Sequence, residues 1–314
     1  TGAVRVMAAL PTYDANQIPQ QFSQFNRDPN SPLFNRTTQS GYPPGSTFKV
    51  VTAAAGLDTG KYTPTSMISG KNNKPVSGVP LQNFGGENFG LVTLTDALTN
   101  SINTVFGEVG EKLGKQTMYR YMRRFGFSKT PQLDYPKSQM RASGVYDTKT
   151  GRLLNENDNV DIGRVAIGQE RLNVTPLQMA EVAAAVANGG KLMKPRLVDR
   201  VIRPDGRVRK TIHPKELDRV MSADKAAQLT QMMAKVVEEG SGTAAALQGI
   251  RVAGKTGTAE VDSGGSNQAW FICFAPLDNP KLAVAVTIER TQQTGGEAAA
   301  PVAKQVLQRM LGGG

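Results

Sequence analysis

Three short motifs with chemically reactive side chains follow one another along this 314-residue chain. They are Ser46-Thr47-Phe48-Lys49, Ser101-Ile102-Asn103 and Lys255-Thr256-Gly257-Thr258. The first offers a hydroxyl nucleophile and an amine one helical turn away, the second a hydroxyl and an amide, and the third a cation on a strand-like run. This is the equipment of a serine acyl-transfer enzyme that works without a catalytic histidine. Such chemistry requires a fold that joins segments 55 and 154 residues apart.

The residues around Ser46 predict a helix N-terminus. The preceding Tyr42-Pro43-Pro44-Gly45 cannot be helix interior, because proline lacks an N–H and pushes the residue before it out of the α region. Residues 47–57 can form a buried helix, so free N–H groups favour negative charge at Ser46, and Lys49 lies on the same face. An isolated motif of this kind is usually an N-capping serine followed by a surface lysine. The apolar neighbours of Lys49 instead indicate burial, which lowers the pKa of a lysine.

Lys255 lies on a predicted strand, residues 250–259, and a second strand is expected at 269–274. The stretch between them, 261–268, suits a hairpin loop. Small residues around Lys255 leave one face of its strand unobstructed, and glycine in a strand often marks the close approach of a ligand or another backbone. The alternative is a surface edge strand with a solubilising lysine. The presence of the other two motifs favours a functional site.

Strand-like patterns cluster towards both ends of the chain, and helical patterns fill the middle. Strands are expected at residues 4–9, 250–259, 269–274 and 282–288. Helices are expected at residues 94–100, 104–113, 116–125, 176–187, 223–239 and 298–311. This order predicts an α+β fold: an antiparallel sheet built from both ends and covered by helices, with a helical lobe inserted between.

Beyond the motifs, the chain resembles the transpeptidase domain of class B (monofunctional) penicillin-binding proteins. The resemblance covers nearly all 314 residues through co-linear stretches that include Thr1-Gly2-Ala3-Val4, Tyr42-Pro43-Pro44-Gly45, Ile167-Gly168-Gln169, Thr175-Pro176-Leu177-Gln178, Ala253-Gly254-Lys255-Thr256 and Ala269-Trp270-Phe271. Two residues depart from the family pattern, because Cys273 and Glu170 stand where glycine is common. Cys273, in an apolar strand, is expected to be a core residue.

The resemblance implies one transpeptidase domain over residues 1–314, with the penicillin-binding protein/serine β-lactamase-like fold. Its sheet lobe is expected at about 1–60 and 215–314, and its helical lobe at about 61–214, with the active site between them. Members of this class normally carry an N-terminal membrane anchor and a non-catalytic pedestal domain. The chain is therefore expected to be the transpeptidase part of a longer protein held at the extracytoplasmic face of the bacterial plasma membrane.

The resemblance also implies a role for each motif residue. Ser46 would attack a peptidoglycan stem peptide at its penultimate D-alanine, neutral Lys49 would take the proton, and Ser101 would relay it to the leaving amine. Asn103 would hold the substrate amide, and Lys255, Thr256 and Thr258 would meet the terminal carboxylate, with Gly257 also counted among the substrate-binding residues. The backbone N–H groups of Ser46 and Thr258 would form the oxyanion hole. No cofactor or metal is implied. β-Lactams would acylate Ser46 covalently, and a glycosyltransferase is the expected partner in cell-wall synthesis.

Two other readings share the acyl-enzyme. One is a hydrolase, either a β-lactamase or a D,D-carboxypeptidase, and the other is a non-catalytic β-lactam sensor. Glu170-Arg171-Leu172-Asn173 superficially resembles the deacylating loop of class A β-lactamases, but its glutamate-to-asparagine interval is one residue short. Ser101-Ile102-Asn103 lacks the central aspartate of class A enzymes and the Tyr-Gly-Asn expected of a sensor. Transpeptidase is therefore the favoured reading.

Composition excludes several other classes. With 39% hydrophobic residues the chain is globular, and no apolar run reaches the length of about 18 residues that spans a bilayer. One histidine and one cysteine argue against a zinc site or a Ser-His-Asp triad. The net charge of +11 comes from scattered residues without aromatic interleaving, so no nucleic-acid partner is expected. Attraction to an anionic cell envelope is the preferred interpretation, and a solvated surface is the alternative. The turn at Pro204-Asp205-Gly206 predicts an exposed basic hairpin.

Overall fold

The computed structural model describes residues 1–261 and 265–312. Its helices cover most segments for which helical patterns are predicted. They are α1 (Ile18–Arg27), α2 (Arg36–Gln39), α3 (Lys49–Asp58), α4 (Leu94–Thr99), α5 (Asn103–Leu113), α6 (Lys115–Arg124), α7 (Ile162–Ala166), α8 (Pro176–Ala187), α9 (Ala223–Glu238) and α10 (Ala300–Gly312). The six predicted helices are thus confirmed as α4, α5, α6, α8, α9 and α10, with ends that differ by at most two residues.

The strands form one larger sheet and several two-stranded ones. In chain order they are β1 (Met67–Ser69), β2 (Lys74–Val76), β3 (Val79–Leu81), β4 (Leu91–Thr93), β5 (Gly144–Val145), β6 (Leu172–Asn173), β7 (Lys191–Met193), β8 (Arg200–Ile202), β9 (Val208–Thr211), β10 (Glu216–Arg219), β11 (Ala253–Glu260), β12 (Asn267–Ala275) and β13 (Leu282–Thr291). The larger sheet of the described residues is antiparallel, in the order β11-β12-β13. The predicted α+β fold class is confirmed.

The prediction of a strand at residues 4–9 is wrong. In this described segment Ala3 makes only an isolated parallel bridge with Arg196, and Val6 is 58% exposed. Alternating apolar residues form a strand only where a neighbouring strand takes their backbone hydrogen bonds, and here the first backbone bonds go to the irregular segment at Arg196. The larger sheet is consequently built from the C-terminal third of the chain and not from both ends.

The predicted hairpins are present. β11 and β12 pair antiparallel, and Val261 donates its N–H to the carbonyl of Ser266, but loop residues 262–264 lie outside the described residues. The predicted frayed end at 313–314 lies outside them too. β8 and β9 form the expected basic hairpin around Pro204-Asp205-Gly206, and all their residues are exposed.

Alternate residues of β12 pack on opposite faces of the sheet, as the period of two requires. Trp270, Ile272 and Phe274 enter the large core beneath α8 and the central helices. Phe271 and Cys273 pack with apolar residues of α10 on the other face, so Cys273 is a core residue. No helix of the described residues has both the length and the hydropathy required to cross a bilayer.

Helix α3 runs through the middle of the molecule and carries the first motif at its start. Every residue from Lys49 to Leu57 is buried, because alanine, valine and glycine let α5, α6 and α9 approach it closely. The contacts of α3 with α5 and α9 place the start of α3 where residues from the middle and the end of the chain meet. The boundaries of the two lobes remain a proposal.

Candidate active site

Ser46 lies in the first turn of the α3 segment, as the sequence predicts. Residues Gly45–Phe48 form a 3₁₀ turn that leads directly into α3 at Lys49. Ser46 is half-buried and Lys49 is completely buried. The two prolines before the turn lack N–H groups and stop the helix from extending further back. The nucleophile candidate is therefore held at the accessible end of an otherwise buried helix.

The amine of Lys49 faces the second motif. Its Nζ donates to the backbone carbonyl of Ser101 at 2.6 Å, to Oδ1 of Asn103 at 2.6 Å and, more weakly, to Oγ of Ser101 at 3.3 Å. The ring of Phe106 lies beneath the same atom, with its centroid 5.8 Å away. These contacts bring the first and second motifs together.

The amine of Lys255 reaches the same serine from the other side. Its Nζ donates to Oγ of Ser101 at 2.9 Å and to the carbonyl of Thr256 at 3.1 Å, and the side chain is completely buried in β11. The hydroxyl of Ser101 thus lies between two lysine amines. This arrangement joins all three motifs and allows a proton to pass between the lysines through one hydroxyl.

Both lysines have lowered pKa values. Burial, followed by the charge of Lys255, holds the pKa of Lys49 well below its ordinary value. Burial lowers the pKa of Lys255 to about 7. The cause is desolvation, which penalises the charged form of an amine inside the protein. Lys49 is therefore the amine better suited to be neutral at physiological pH and to accept a proton, as expected from its apolar neighbours.

Ser101 adopts a left-handed backbone conformation, with φ of +57°. This conformation is sparsely populated for residues other than glycine and costs of the order of 1 kcal/mol. The turn lies between α4 and α5 and is held by N–H groups of Ser101 and Ile102, which donate to Leu98 and Ala97 at 3.3 and 2.9 Å. It allows both the carbonyl and the hydroxyl of Ser101 to meet Lys49.

The side chain of Asn103 binds within the protein. Its Oδ1 accepts from Lys49, and its Nδ2 donates to the carbonyl of Gln82 at 2.9 Å. Asn103 thereby anchors the Lys49 amine to the segment after β3. The expected contact of Asn103 with a substrate amide stays a prediction, and positioning of Lys49 is a role that sequence reasoning missed.

The third motif packs directly against the nucleophile's turn. A Cβ on Gly257 would lie 2.7 Å from the carbonyl oxygen of Pro44, so only glycine permits this approach. Similarly, a Cβ on Gly45 would lie 2.8 Å from the carbonyl oxygen of Thr258. Ser46 and Thr258 therefore lie on neighbouring backbone segments, as their predicted joint role requires.

Two residues that support the third motif were not predicted. The hydroxyls of Ser241 and Thr256 are 2.6 Å apart, and the N–H of Gly295 donates to Oγ1 of Thr258 at 3.1 Å. Ser241 follows α9, and Gly295 precedes α10, so both are distant in sequence from the motif they hold. No local pattern in the sequence marks either of them.

Glu170 follows a segment that contacts the nucleophile's turn, and its carboxylate is hydrogen-bonded to the neighbouring Arg171. Its carboxylate accepts from two nitrogens of Arg171 at 2.8 and 3.1 Å, and Arg171 also donates to the carbonyl of Asn159. Two residues earlier, the carbonyl of Gly168 accepts the N–H of Gly45 at 3.1 Å. A Cβ on Gly168 would overlap the carbonyl oxygen of Gly45, so the two backbones touch.

The arrangement can perform nucleophilic acyl transfer. It combines a hydroxyl at a helix start, a buried amine with a lowered pKa, a bridging hydroxyl and a second amine. Within residues 1–261 and 265–312, no group of three or more His, Cys, Asp or Glu side chains could hold a metal ion.

Comparison with known proteins gives a family. The family model described as "Penicillin binding protein transpeptidase domain" matches residues 1–308. The peptidoglycan D,D-transpeptidase PbpA of Mycolicibacterium smegmatis is 36% identical over 330 aligned positions, which cover 99% of this chain. This chain spans 65% of the length of that relative.

Solved structures agree with the sequence relatives. Penicillin-binding protein A of M. tuberculosis, in an acyl-enzyme complex with ceftriaxone, superposes with a TM-score of 0.85 at 34% identity. The superposition covers 96% of this chain and 70% of that protein's chain. The D,D-transpeptidase domain of a peptidoglycan glycosyltransferase from Eggerthella lenta gives a TM-score of 0.86 at 31% identity, with coverages of 97% and 74%. By sequence, fold and motif geometry, this chain belongs to the transpeptidase domains of class B penicillin-binding proteins.

Proposed function

We propose that this chain is the catalytic domain of a peptidoglycan D,D-transpeptidase that works through a Ser46 acyl-enzyme. The observation that carries the proposal is the hydroxyl of Ser101 between the amines of Lys49 and Lys255. A structural role alone does not account for two completely buried lysines that have no carboxylate partner within residues 1–261 and 265–312, because burial of a cation costs free energy.

In the first half-reaction, Oγ of Ser46 attacks the carbonyl carbon of the penultimate D-alanine, and Lys49 accepts the proton. Backbone N–H groups of Ser46 and Thr258 stabilise the oxyanion. Ser101 relays the proton to the departing D-alanine amine as the peptide bond breaks. Lys255, with Thr256 and Thr258, binds the carboxylate of the stem peptide.

In the second half-reaction, an amine of a neighbouring stem peptide attacks the Ser46 ester. Its proton returns through Lys49 to Oγ of Ser46, and the new amide is the cross-link. A β-lactam also forms an ester with Ser46. Its leaving amine stays attached to the acyl group after the ring opens, so Ser46 stays blocked. The names of the relatives, a peptidoglycan D,D-transpeptidase and a ceftriaxone acyl-enzyme complex, support the proposed reaction type and the covalent intermediate.

Hydrolysis is less well supported than transpeptidation. A hydrolase needs a base that activates water against the acyl-enzyme. Glu170, the candidate from the sequence, already accepts two hydrogen bonds from Arg171, so its carboxylate is not free to act as that base. The sensor reading lacks its expected second motif.

In the cell, we place the domain at the extracytoplasmic face of the plasma membrane, as part of a longer anchored protein. A glycosyltransferase that supplies glycan strands is the proposed partner, because cross-linking requires newly made strands. The name of the relative, peptidoglycan D,D-transpeptidase, supports a setting where peptidoglycan is made.

The first test is the intact mass of the protein after exposure to benzylpenicillin, followed over hours. Ser46→Ala is expected to abolish the adduct. The matched control is Ser222→Ala, because Ser222-Ala223-Asp224-Lys225 has the same S-x-x-K spacing at the start of α9. A stem-peptide donor and an amine acceptor then distinguish cross-linking from hydrolysis.

A stable adduct with wild type and Ser222→Ala, together with amide product, supports the transpeptidase. An adduct that clears within minutes favours a hydrolase, and a stable adduct without any turnover of stem peptide favours a sensor. No adduct with wild type contradicts the proposed function.

A further inference from the structure

The turn that presents Ser46 has few backbone donors of its own. Pro43 and Pro44 lack N–H groups, so this part of the turn can be held only through its carbonyls. The carbonyl of Pro44 accepts the hydroxyl of Thr47 at 2.8 Å. The N–H of Gly45 binds the carbonyl of Gly168, so the position of the nucleophile also depends on the partner of the remaining carbonyl, that of Pro43.

That partner is the indole of Trp270. Its Nε1–H donates to the carbonyl of Pro43 at 3.0 Å, and the side chain is completely buried in β12. Trp270 is also the direct strand partner of Gly257, the residue of the third motif that touches Pro44. One side chain thus connects the nucleophile's turn with the strand expected to bind substrate.

A second set of contacts fixes the indole. The ring of Tyr42 meets Trp270 edge-on, with centroids 6.1 Å apart and planes at 72°. The hydroxyl of Tyr42 donates to the carboxylate of Glu289 on β13, which also pairs with Arg36 of α2 at 3.3 Å. Burial and the adjacent Glu289 raise the pKa of Tyr42, so its hydroxyl remains a donor.

We propose that Trp270 is a positioning residue for Ser46, which acts through the Pro43 carbonyl and is itself oriented by the Tyr42–Glu289–Arg36 triad. This inference rests on the proposed acyl-enzyme function and deepens it. A reacting group displaced by about 1 Å can lose about 100-fold in rate, so a turn released by loss of one donor acylates more slowly.

The test compares variants that remove one polar group each and preserve an aromatic ring. Trp270→Phe removes the indole N–H, and Tyr42→Phe removes the hydroxyl that reaches Glu289. The matched control is Tyr121→Phe, because Tyr121 donates to Asp58 at 2.6 Å and Asp58 pairs with Arg124 at 3.4 Å. This second triad also joins a tyrosine, a carboxylate and an arginine, and its Asp58 lies at the far end of α3 from Lys49.

Stopped-flow acylation by benzylpenicillin separates the acylation rate constant from the Kd of the initial complex. We expect Trp270→Phe to lower the rate constant by about tenfold with little change in Kd, and Tyr42→Phe to lower it by about threefold, as partial displacement of the turn predicts. The pH profile should keep its shape because both lysines are untouched. Tyr121→Phe should lose about as much thermal stability as Tyr42→Phe, but its acylation should not be slower.

Hydrogen exchange of residues 45–48 gives a readout that does not require a reaction with β-lactam. Faster exchange of these amides in Trp270→Phe, but not in Tyr121→Phe, supports the inference even if the proposed function fails. Wild-type acylation and exchange in Trp270→Phe would overturn it. Losses in Trp270→Phe no larger than those in Tyr121→Phe at equal stability would also overturn it.

Discussion

Two segments of this chain have the S-x-x-K spacing at the start of a helix, and they differ in the burial and the hydrogen-bond partners of the lysine. At Ser222 the hydroxyl accepts the N–H of Lys225 at 3.4 Å and caps α9. The Lys225 side chain is 27% exposed and lies near Asp224 and Gln228. At Ser46 the lysine is completely buried and reaches Ser101 and Asn103, which lie more than 50 residues away in the sequence.

The comparison teaches that the motif alone does not create a nucleophile. A serine and a lysine one turn apart are ordinary capping residues where water reaches them. The same pair becomes a candidate catalytic group only where burial lowers the pKa of the lysine and distant residues take its hydrogen bonds. Five predictions test this difference, in order of decreasing effect.

The largest effect is expected from Lys49→Arg. A guanidinium stays protonated and cannot accept the Ser46 proton, so benzylpenicillin acylation should fall by about 1,000-fold. Stopped-flow kinetics measure this rate. Lys225→Arg, the same exchange in the exposed motif, should acylate like wild type. Rapid acylation by Lys49→Arg would show that Lys49 is not the base.

A smaller loss is expected from Ser101→Ala, because it removes the hydroxyl between the two amines and leaves the backbone carbonyl that binds Lys49. Acylation should slow by about 100-fold. Ser101→Gly is the control for the backbone, since glycine adopts a φ of +57° without strain. Acylation that recovers in Ser101→Gly would assign the loss to backbone strain and contradict a relay.

The pH dependence should separate the two lysines. Acylation efficiency should fall at low pH, as Lys49 becomes protonated, and fall again as pH rises through about 7, where Lys255 loses the charge that binds the carboxylate. Lys255→Met should move the acid limb to higher pH, because the charge of Lys255 depresses the pKa of Lys49. An acid limb that does not move would exclude this coupling.

The free energy of unfolding should also depend on pH, because the pKa of Lys255 differs between the folded and the unfolded state. The pKa of Lys255 is about 7 in the folded state and near 10 in the unfolded chain, which therefore binds more protons between these values. Stability should rise with pH across that window and level off below it. Denaturant titrations of wild type and Lys255→Met measure the difference.

The smallest effect separates the two serines by stability. Ser222→Ala removes the N-cap of α9 and should lower the free energy of unfolding by about 1 kcal/mol without altering acylation. Ser46→Ala should abolish acylation with little change in the free energy of unfolding, since Ser46 is not the N-cap residue of the 3₁₀ turn or of α3. Chemical denaturation of both variants checks this contrast. Equal destabilisation would mean that both serines are structural.

Local chemistry explains which parts of the fold the sequence predicts well. Thr175 caps α8 and Pro176 occupies its first turn, so the helix begins at the predicted residue 176. It also ends at the predicted residue 187. Residues 4–9 fail because a strand depends on a partner that no local pattern supplies. The contact from Trp270 to Pro43 spans 227 residues and involves a backbone carbonyl, so no motif could announce it. The candidate site residues could be predicted because their chemistry is local, whereas the contacts between them could not.

The close contact between backbones around Ser46 restricts which substitutions the protein can tolerate next to its nucleophile. At Gly257 and Gly168 an added methyl group would meet the carbonyl oxygens of Pro44 and Gly45, and neither backbone can rotate aside as a side chain does. A substitution that narrows the site there would also displace the nucleophile. If β-lactams acylate Ser46 as proposed, substitutions that lower their binding are expected at positions whose side chains can move, such as the exposed Glu170, and not at these two glycines.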